Sequence, residues 1–208
     1  MGVRKQLIIS VILCLAMVLS VAGDLCAQDT TATKYSARKF AVKTNMLYDV
    51  LLVPNLGLEF GIDKANRYSV TLNGMYAWWH NDRSKWYHRT YGGDLGVRRW
   101  FGKQSQEKNL TGFHAGVYGQ MLTYDILWGK RGYIADEFSF AAGIDGGYSL
   151  PIFKSLNIDF NIGLGYMWGE YEEYVPMDDC YVWQATKIRR WLGPTKAEVQ
   201  LVWIIGGR

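Results

Sequence analysis

Apolar and polar residues alternate along much of the chain, which is the pattern of a β-strand with two unlike faces. From Leu156 to Trp168 every even position is apolar, and the odd positions are Asn, Asp, Gly or Met. Similar alternation marks seven other segments, near residues 38–48, 55–62, 68–78, 90–101, 110–124, 136–149 and 195–205. Eight strands, an even number, predict an all-β fold, an eight-stranded antiparallel up-and-down barrel.

The two faces of these strands decide the class of barrel. The interior of an eight-stranded barrel holds only modest side chains or one small ligand, whereas the apolar face carries Leu, Ile, Phe, Tyr and Trp. We therefore expect glycines and small polar residues inside and the bulky apolar set facing lipid. Segments of about ten residues or more also match the length of a tilted transmembrane strand. The sequence thus predicts a transmembrane β-barrel.

The connections between the segments alternate in length, as in outer-membrane barrels with short periplasmic turns and longer extracellular loops. The predicted short connections are 63–66, 102–109 and 150–155, and the long ones are 79–89, 125–135 and 169–194, with 49–54 as a brief exception. Aromatic residues gather where strands meet connections, as expected at headgroup level. This alternation predicts that the long connections lie outside the cell.

The N-terminus has the features of an export signal. Residues 1–27 combine Arg4 and Lys5, an apolar run and a small residue, Ala27, suitable for cleavage, and so predict a signal peptide, initially helical. Residues 28–37 would form a short polar periplasmic arm and residues 38–208 the barrel, located in the outer membrane. Cys180 would be the one cysteine left after cleavage, so we expect no internal disulfide.

Several stretches resemble a known family. They are "VKTNMLYDVLLVPNLGLEFGI", "GGDLGVRRWF", "TYDILWGKRGYIADEFSFAAGIDGGYSLPIFKSLNIDFNIGLGYMWGEYEEYVPMDDCYVW" and "WLGPTKAEVQLVWIIG", within residues 38–206. They resemble a domain-of-unknown-function family of small outer-membrane proteins from anaerobic Gram-negative bacteria, and Gly193-Pro194-Thr195-Lys196 is the most specific part. The resemblance implies an outer-membrane location and a link to fimbrial or other surface-assembly systems. It implies no reaction and no catalytic residues.

Charged residues on the predicted inner face form the first candidate site. They are Lys43, Glu59, Asp94, Arg98, Asp145, Asp159, Lys196 and Glu198, with His114 nearby. An unpaired charge in a confined lumen carries a large desolvation penalty. We therefore expect a structural network of ion pairs that fills the barrel, in preference to a proton or solute path.

Basic residues in the predicted outer loops form a second set. They are Arg83, Lys85, Arg89, Lys130, Arg131, Lys187, Arg189 and Arg190. Basic segments beside anionic lipids bind them electrostatically, so these side chains are candidates for contacts with lipopolysaccharide phosphates. The acidic residues of the last loop follow no EF-hand spacing, and we expect neither a metal site nor a cofactor.

These features predict a structural or surface-interaction protein, without enzymatic activity, that presents extracellular loops. The expected partners are outer-membrane lipids and lipopolysaccharide, the barrel-assembly machinery during biogenesis, and a surface or fimbrial protein. No nucleic-acid motif is present. One alternative is a lipid-modifying outer-membrane enzyme, for which His80, Asp82, Ser84 and His88 offer suitable groups in one loop. The other is a narrow conduit.

Overall fold

The computed structural model describes residues 40–63, 65–81, 86–107, 110–177 and 180–205. Within them, eight antiparallel strands form one closed ring, each strand pairing with its neighbour in sequence and the last with the first. The strands are β1 (Phe40–Asn45), β2 (Asn55–Gly61), β3 (Tyr68–Asn81), β4 (Trp86–Phe101), β5 (Gly112–Trp128), β6 (Arg131–Pro151), β7 (Leu156–Met177) and β8 (Cys180–Ile205). The predicted eight-stranded up-and-down arrangement is confirmed.

Two short helices lie in the connections, α1 (Met46–Val50) after β1 and α2 (Lys103–Glu107) after β4. The Asn45 side chain caps α1 by accepting a hydrogen bond from the backbone N–H of Leu47. In the described part of the chain, no helix is long and apolar enough to cross a membrane. The predicted signal peptide (1–27) and polar arm (28–37) lie outside the described residues.

The strands differ greatly in length, so the ring has two unlike ends. The β2–β3, β4–β5 and β6–β7 connections lie at one end of the ring, which we call the turn end. The β1–β2, β3–β4, β5–β6 and β7–β8 connections lie at the opposite end, which we call the hairpin end. β1 has 6 residues and β8 has 26. At the hairpin end, β3 to β8 continue past β1 and β2. We call residues 86–90, 122–138, 169–177 and 180–193 the extension.

The predicted long loops are therefore wrong in extent. Asn81 pairs with Trp86, Trp128 pairs with Arg131, and Met177 pairs with Cys180, so most of 79–89, 125–135 and 169–194 belongs to strands. A β-bulge is one reason why the sequence pattern underestimates the length of β8. Gly163 pairs with Lys196 but Leu164 pairs with Pro194, so Thr195 has no partner on β7 and forms the bulge. Each bulge shifts the period-two pattern by one position and hides the continuing strand.

The two faces of the wall are as different as predicted. Glu59 on the inner face is fully buried, whereas Ile144 on the outer face is 57% exposed. The interior is apolar in two places. A cluster of Ala41, Trp100, Leu110, Val202 and Ile204 occupies the turn end, and a cluster of Tyr87, Leu127 and Tyr174 lies in the extension. Between them the interior is polar.

Candidate functional site

Alternation along six strands brings the predicted charged side chains into the barrel interior. Because neighbouring residues of a strand point to opposite faces of the sheet, every second residue points into the barrel. The residues are Lys43 on β1, Glu59 on β2, Asp94 and Arg98 on β4, Asp145 on β6, Asp159 on β7, and Lys196 and Glu198 on β8. All except Asp94 are buried, and the Asp94 side chain is 11% exposed.

Arg98 lies at the centre of this layer and contacts four carboxylates. One terminal nitrogen is 2.9 Å from Oδ2 of Asp159 and 3.7 Å from Oε2 of Glu59. The other is 3.4 Å from Oε2 of Glu198 and 3.6 Å from Oδ2 of Asp145. The fork of a guanidinium, with five N–H donors, is suited to joining several carboxylates at once.

Two lysines complete the ionic contacts. Lys43 forms an ion pair with Glu59 and lies 3.7 Å from Oδ2 of Asp159. Nζ of Lys196 is 2.6 Å from Oδ1 of Asp94 and 3.5 Å from Oε1 of Glu198. The structure therefore brings all eight predicted lumen residues together in one connected network.

Other side chains also contact the five carboxylates, which outnumber the three Lys and Arg side chains of the network. Nδ2 of Asn161 lies 3.0 Å from Oδ2 of Asp145 and 2.9 Å from Oε2 of Glu198. Ser69 donates to Glu59, and Nε2 of His114 is 2.7 Å from Oδ1 of Asp159. Ser69 and Asn161 were not predicted as network members, although both occupy inward positions of the alternating pattern.

The interior around the network is filled. A Cβ at Gly147 would lie 2.9 Å from the His114 ring, and one at Gly163 would lie 2.8 Å from the Tyr118 ring, so larger residues have no room at these positions. A cavity of about 20 Å³ remains beside Lys43 and Asp94, which is space for about one water molecule. The residues of this layer therefore pack as a polar core.

A second set of polar contacts holds the extension together. The Tyr174 hydroxyl donates to Oδ1 of Asp125 at 2.6 Å, and Asp125 forms an ion pair with Arg89 at 3.4 Å. The hydroxyls of Tyr87 and Tyr181 are also in contact, which ties the tip of β8 to β4. Burial, and then the hydrogen bond to Asp125, raise the pKa of Tyr174 above its ordinary value.

The structure divides the eight basic residues proposed to contact lipopolysaccharide. Three of them have partners within the extension. Arg89 pairs with Asp125, Lys187 pairs with Glu173 at 2.7 Å, and the guanidinium of Arg189 lies 4.8 Å from the Tyr171 ring centroid. These contacts hold the side chains against neighbouring strands.

The other basic residues are placed differently. Lys130 and Arg131 are exposed at the tip of the β5–β6 hairpin. Arg190 is exposed on β8, directly opposite Trp168 of β7. Arg83 and Lys85 lie outside the described residues.

The groups considered for catalysis are only partly described. His88 lies on β4, where it pairs with Trp79, whereas Asp82 and Ser84 lie outside the described residues. In the part of the chain that the structure covers, no three His, Cys, Asp or Glu side chains form a group that could hold a metal ion. Cys180 is a free, exposed cysteine at the start of β8.

Comparison with protein families identifies the chain. Residues 16–205 match the family described as "Protein of unknown function (DUF3575)". The chain belongs to the DUF3575 family. The match includes all eight strands of this DUF3575 protein, in agreement with the resemblance to a domain-of-unknown-function family. No curated protein and no solved structure matches the chain.

Proposed function

We propose that this DUF3575 protein is a small outer-membrane β-barrel that displays its extension at the cell surface as a platform for interaction. The observation that carries the proposal is an outward-facing apolar band, bounded by two rows of aromatic residues, around a packed ionic interior. Three features support the proposal: the height of the band, its composition, and the position of the extension relative to it.

The height of the band matches a membrane. On β4 the outward residues Tyr91 and Phe101 are ten positions apart, and on β6 the outward residues Phe138 and Tyr148 have the same separation. Ten residues of strand span about 33 Å, which a tilt of about 40° reduces to about 25 Å, the usual height of the apolar band of an outer-membrane barrel.

The composition of the band also fits lipid. Between the aromatic rows, the outward positions of β6 are Ala142, Ile144 and Gly146, without a charge. At the hairpin end, successive aromatic rings are 6.0 to 6.5 Å apart in the chain Tyr76, Tyr91, Phe138, Phe140 and Trp168. Such a continuous row is typical of the aromatic girdle at a membrane surface. In water, the same exposed area would favour aggregation.

The extension lies beyond the aromatic row of the hairpin end. If the predicted signal peptide exports the chain and β1 begins in the periplasm, the hairpin end faces the outside. Arg190 lies level with Trp168 in the β7–β8 ladder, a suitable height for contact with lipopolysaccharide phosphates. The surface or fimbrial partner implied by the family resemblance stays a prediction.

Cysteine labelling in cells tests this orientation. Cells that express the protein are treated with a membrane-impermeant maleimide, intact or after lysis, and the outer-membrane fraction is collected. We expect Cys180 to react in both samples. The matched control is Cys180→Ser with Ser155→Cys in the β6–β7 turn, which should react only after lysis. Labelling of Cys180 only after lysis, or recovery of the protein in the soluble fraction, would contradict the proposal.

A further inference from the structure

The long strand β8 leaves most of one edge without a backbone partner. β1 pairs only with Gln200–Ile205. The next backbone N–H, that of Val199, is capped by Oδ1 of Asn45 at 3.3 Å. Among the described residues, no backbone hydrogen bond reaches this side of β8 between Cys180 and Glu198. A free edge of this length is a template for pairing with another strand.

The hydrogen bonds at the base of β8 fix which residues face the free edge. The N–H of Val199 points towards β1, and that of Ile204 points towards β7, where it donates to the Ser155 carbonyl at 2.8 Å. Successive residues alternate between the two sides, and the extra residue Thr195 shifts the alternation by one. The edge-facing residues above it are therefore Thr186, Ile188, Arg190 and Leu192. Pro194, which has no N–H to offer, comes next in this series.

The side chains along the edge indicate what kind of strand it accepts. Ile188 is 65% exposed and Trp183 is 58% exposed, so apolar side chains of a partner could pack against them. Among the edge-facing residues Thr186, Ile188, Arg190 and Leu192, the one charged side chain is the basic Arg190. Lys187 pairs with Glu173, and Arg189 lies against the Tyr171 ring. Charge complementarity across strands therefore favours a partner with acidic residues.

We propose that this edge binds an extended segment of another surface protein by β-strand addition, with apolar and acidic side chains alternating along that segment. Main-chain hydrogen bonds to Thr186, Ile188 and Arg190 provide affinity, and the side chains of Ile188 and Arg190 provide selectivity. This inference rests on the proposed function, because it requires the extension to lie outside the membrane.

A second copy of the chain is a poorer occupant of this edge. Two copies in one membrane have the same orientation, so their β8 strands would run parallel, and parallel pairing is slightly less stable per residue. Their basic residues would also meet. Like charges directly opposite each other on paired strands are destabilising.

Synthetic strands test the proposal with the purified full chain in detergent micelles. The probes are a fluorescent ten-residue peptide of alternating Glu and Val and a matched peptide of alternating Lys and Val. We expect the acidic probe to bind at least tenfold more tightly, measured by fluorescence anisotropy. It should also slow hydrogen exchange at the amides of Thr186, Ile188 and Arg190. Equal binding of both probes, no binding, or protection elsewhere in the chain would overturn the proposal.

Substitutions at one edge position separate backbone from side-chain effects. Ile188→Pro removes an edge-facing N–H and leaves the ladder to β7 in place, so it should abolish binding of the acidic probe. Ile188→Ala keeps the N–H and should lose less than tenfold in affinity. Heat-dependent gel mobility establishes that both variants are folded. Unchanged binding by Ile188→Pro would refute strand addition.

Two further readouts distinguish the remaining outcomes. Arg190→Glu should reverse the preference between the probes, and an unchanged preference would remove the case for an acidic partner. Slow exchange at the edge amides before any probe is added, together with crosslinks between copies, would assign the edge to a second copy and overturn the proposal. If Cys180 is labelled on intact cells but no probe binds, this inference fails and the proposed function stands.

Discussion

At the scale of single residues, Arg98 is the central member of the ionic network, because its guanidinium contacts four carboxylates. The charged members of the network could be predicted from the sequence, because a charge at an inward position needs a partner. The neutral members could not, because Ser69 and Asn161 acquire their roles only when the register places a carboxylate beside them. An alternating pattern specifies a face, whereas a hydrogen bond requires a particular neighbour.

Replacement of Arg98 by leucine should be strongly destabilising. Arg98→Leu leaves Glu59, Asp145, Asp159 and Glu198 with less positive charge in a buried layer, and loss of one partner of a buried ion pair costs about 3–5 kcal/mol. The adjacent Arg99 faces outward and lies over the rings of Tyr68 and Phe101.

Arg99→Leu is the control for this change and should cost about 1 kcal/mol or less. Urea unfolding of both variants in lipid vesicles measures the two free energies. Equal losses would argue against a central role for Arg98.

Two neighbouring arginines should have separable roles. Arg190→Gln removes an exposed cation opposite Trp168 and should lower retention in bilayers that contain lipopolysaccharide relative to phospholipid bilayers. Arg189→Gln removes the cation beside the Tyr124 and Tyr171 rings and should leave retention unchanged while loosening the extension. Vesicle flotation measures retention, and limited proteolysis measures loosening. The prediction is wrong if both variants lose retention equally.

At the scale of strands, the alternating pattern located all eight strands but not their bounds. The first predicted segment, 38–48, runs on into residues that form α1, and several later strands are longer than predicted. The pattern works from Leu156 to Trp168 because outward and interior positions differ in polarity. Beyond Trp168 the outward positions include Glu170 and Glu172, so the contrast disappears while the β7–β8 ladder continues to Met177. Bulges such as Thr195 further disturb the period. Strand ends are then decided by pairing with neighbours, which a single sequence does not contain.

The extension should loosen at alkaline pH because Tyr174 must stay protonated in it. Burial and Asp125 raise the pKa of Tyr174 in the folded state, whereas an unfolded tyrosine ionises at about pH 10. The stability that protonated Tyr174 contributes is therefore fully present below about pH 10 and is lost as the pH rises above it. A nitroxide label on Cys180 should therefore become more mobile at high pH.

Tyr174→Phe supplies the control for this titration. Phenylalanine has no hydroxyl, so the variant loses the hydrogen bond to Asp125. For the same reason, residue 174 of the variant cannot ionise, and opening of the extension no longer depends on its ionisation. The pH midpoint for label mobility should move upward in Tyr174→Phe. An identical midpoint in both proteins would assign the alkaline opening to another group.

At the scale of the whole molecule, the interior is layered along the barrel axis. The apolar cluster at the turn end is followed by the ionic network, a water-sized cavity beside α1, and the apolar cluster of the extension. The outer face has its own layers, an apolar band between two aromatic rows. The two series are independent because inward and outward residues alternate on the same strands, which allows a polar core and an apolar exterior to coexist.

Two exposed isoleucines test whether lipid covers the band. Ile144 lies in the middle of the band and is 57% exposed, and Ile188 lies in the extension and is 65% exposed. Arginine on the lipid face of a barrel costs about 2–4 kcal/mol at the membrane midplane and about 0–1 kcal/mol near the interface. Ile144→Arg should therefore be much more destabilising than Ile188→Arg, measured by unfolding in vesicles. Similar small effects would favour a barrel in water.

The short first strand gives the ring a seam. Phe40–Asn45 shares four register pairs with β2 and six with β8, whereas β7 and β8 share twenty-two. The segment with the fewest pairs is the one that opens at the lowest free energy. During folding, the pairing of β1 with its neighbours would therefore form last, after the longer hairpins have assembled. In the folded barrel, this seam is where neighbouring strands would separate first.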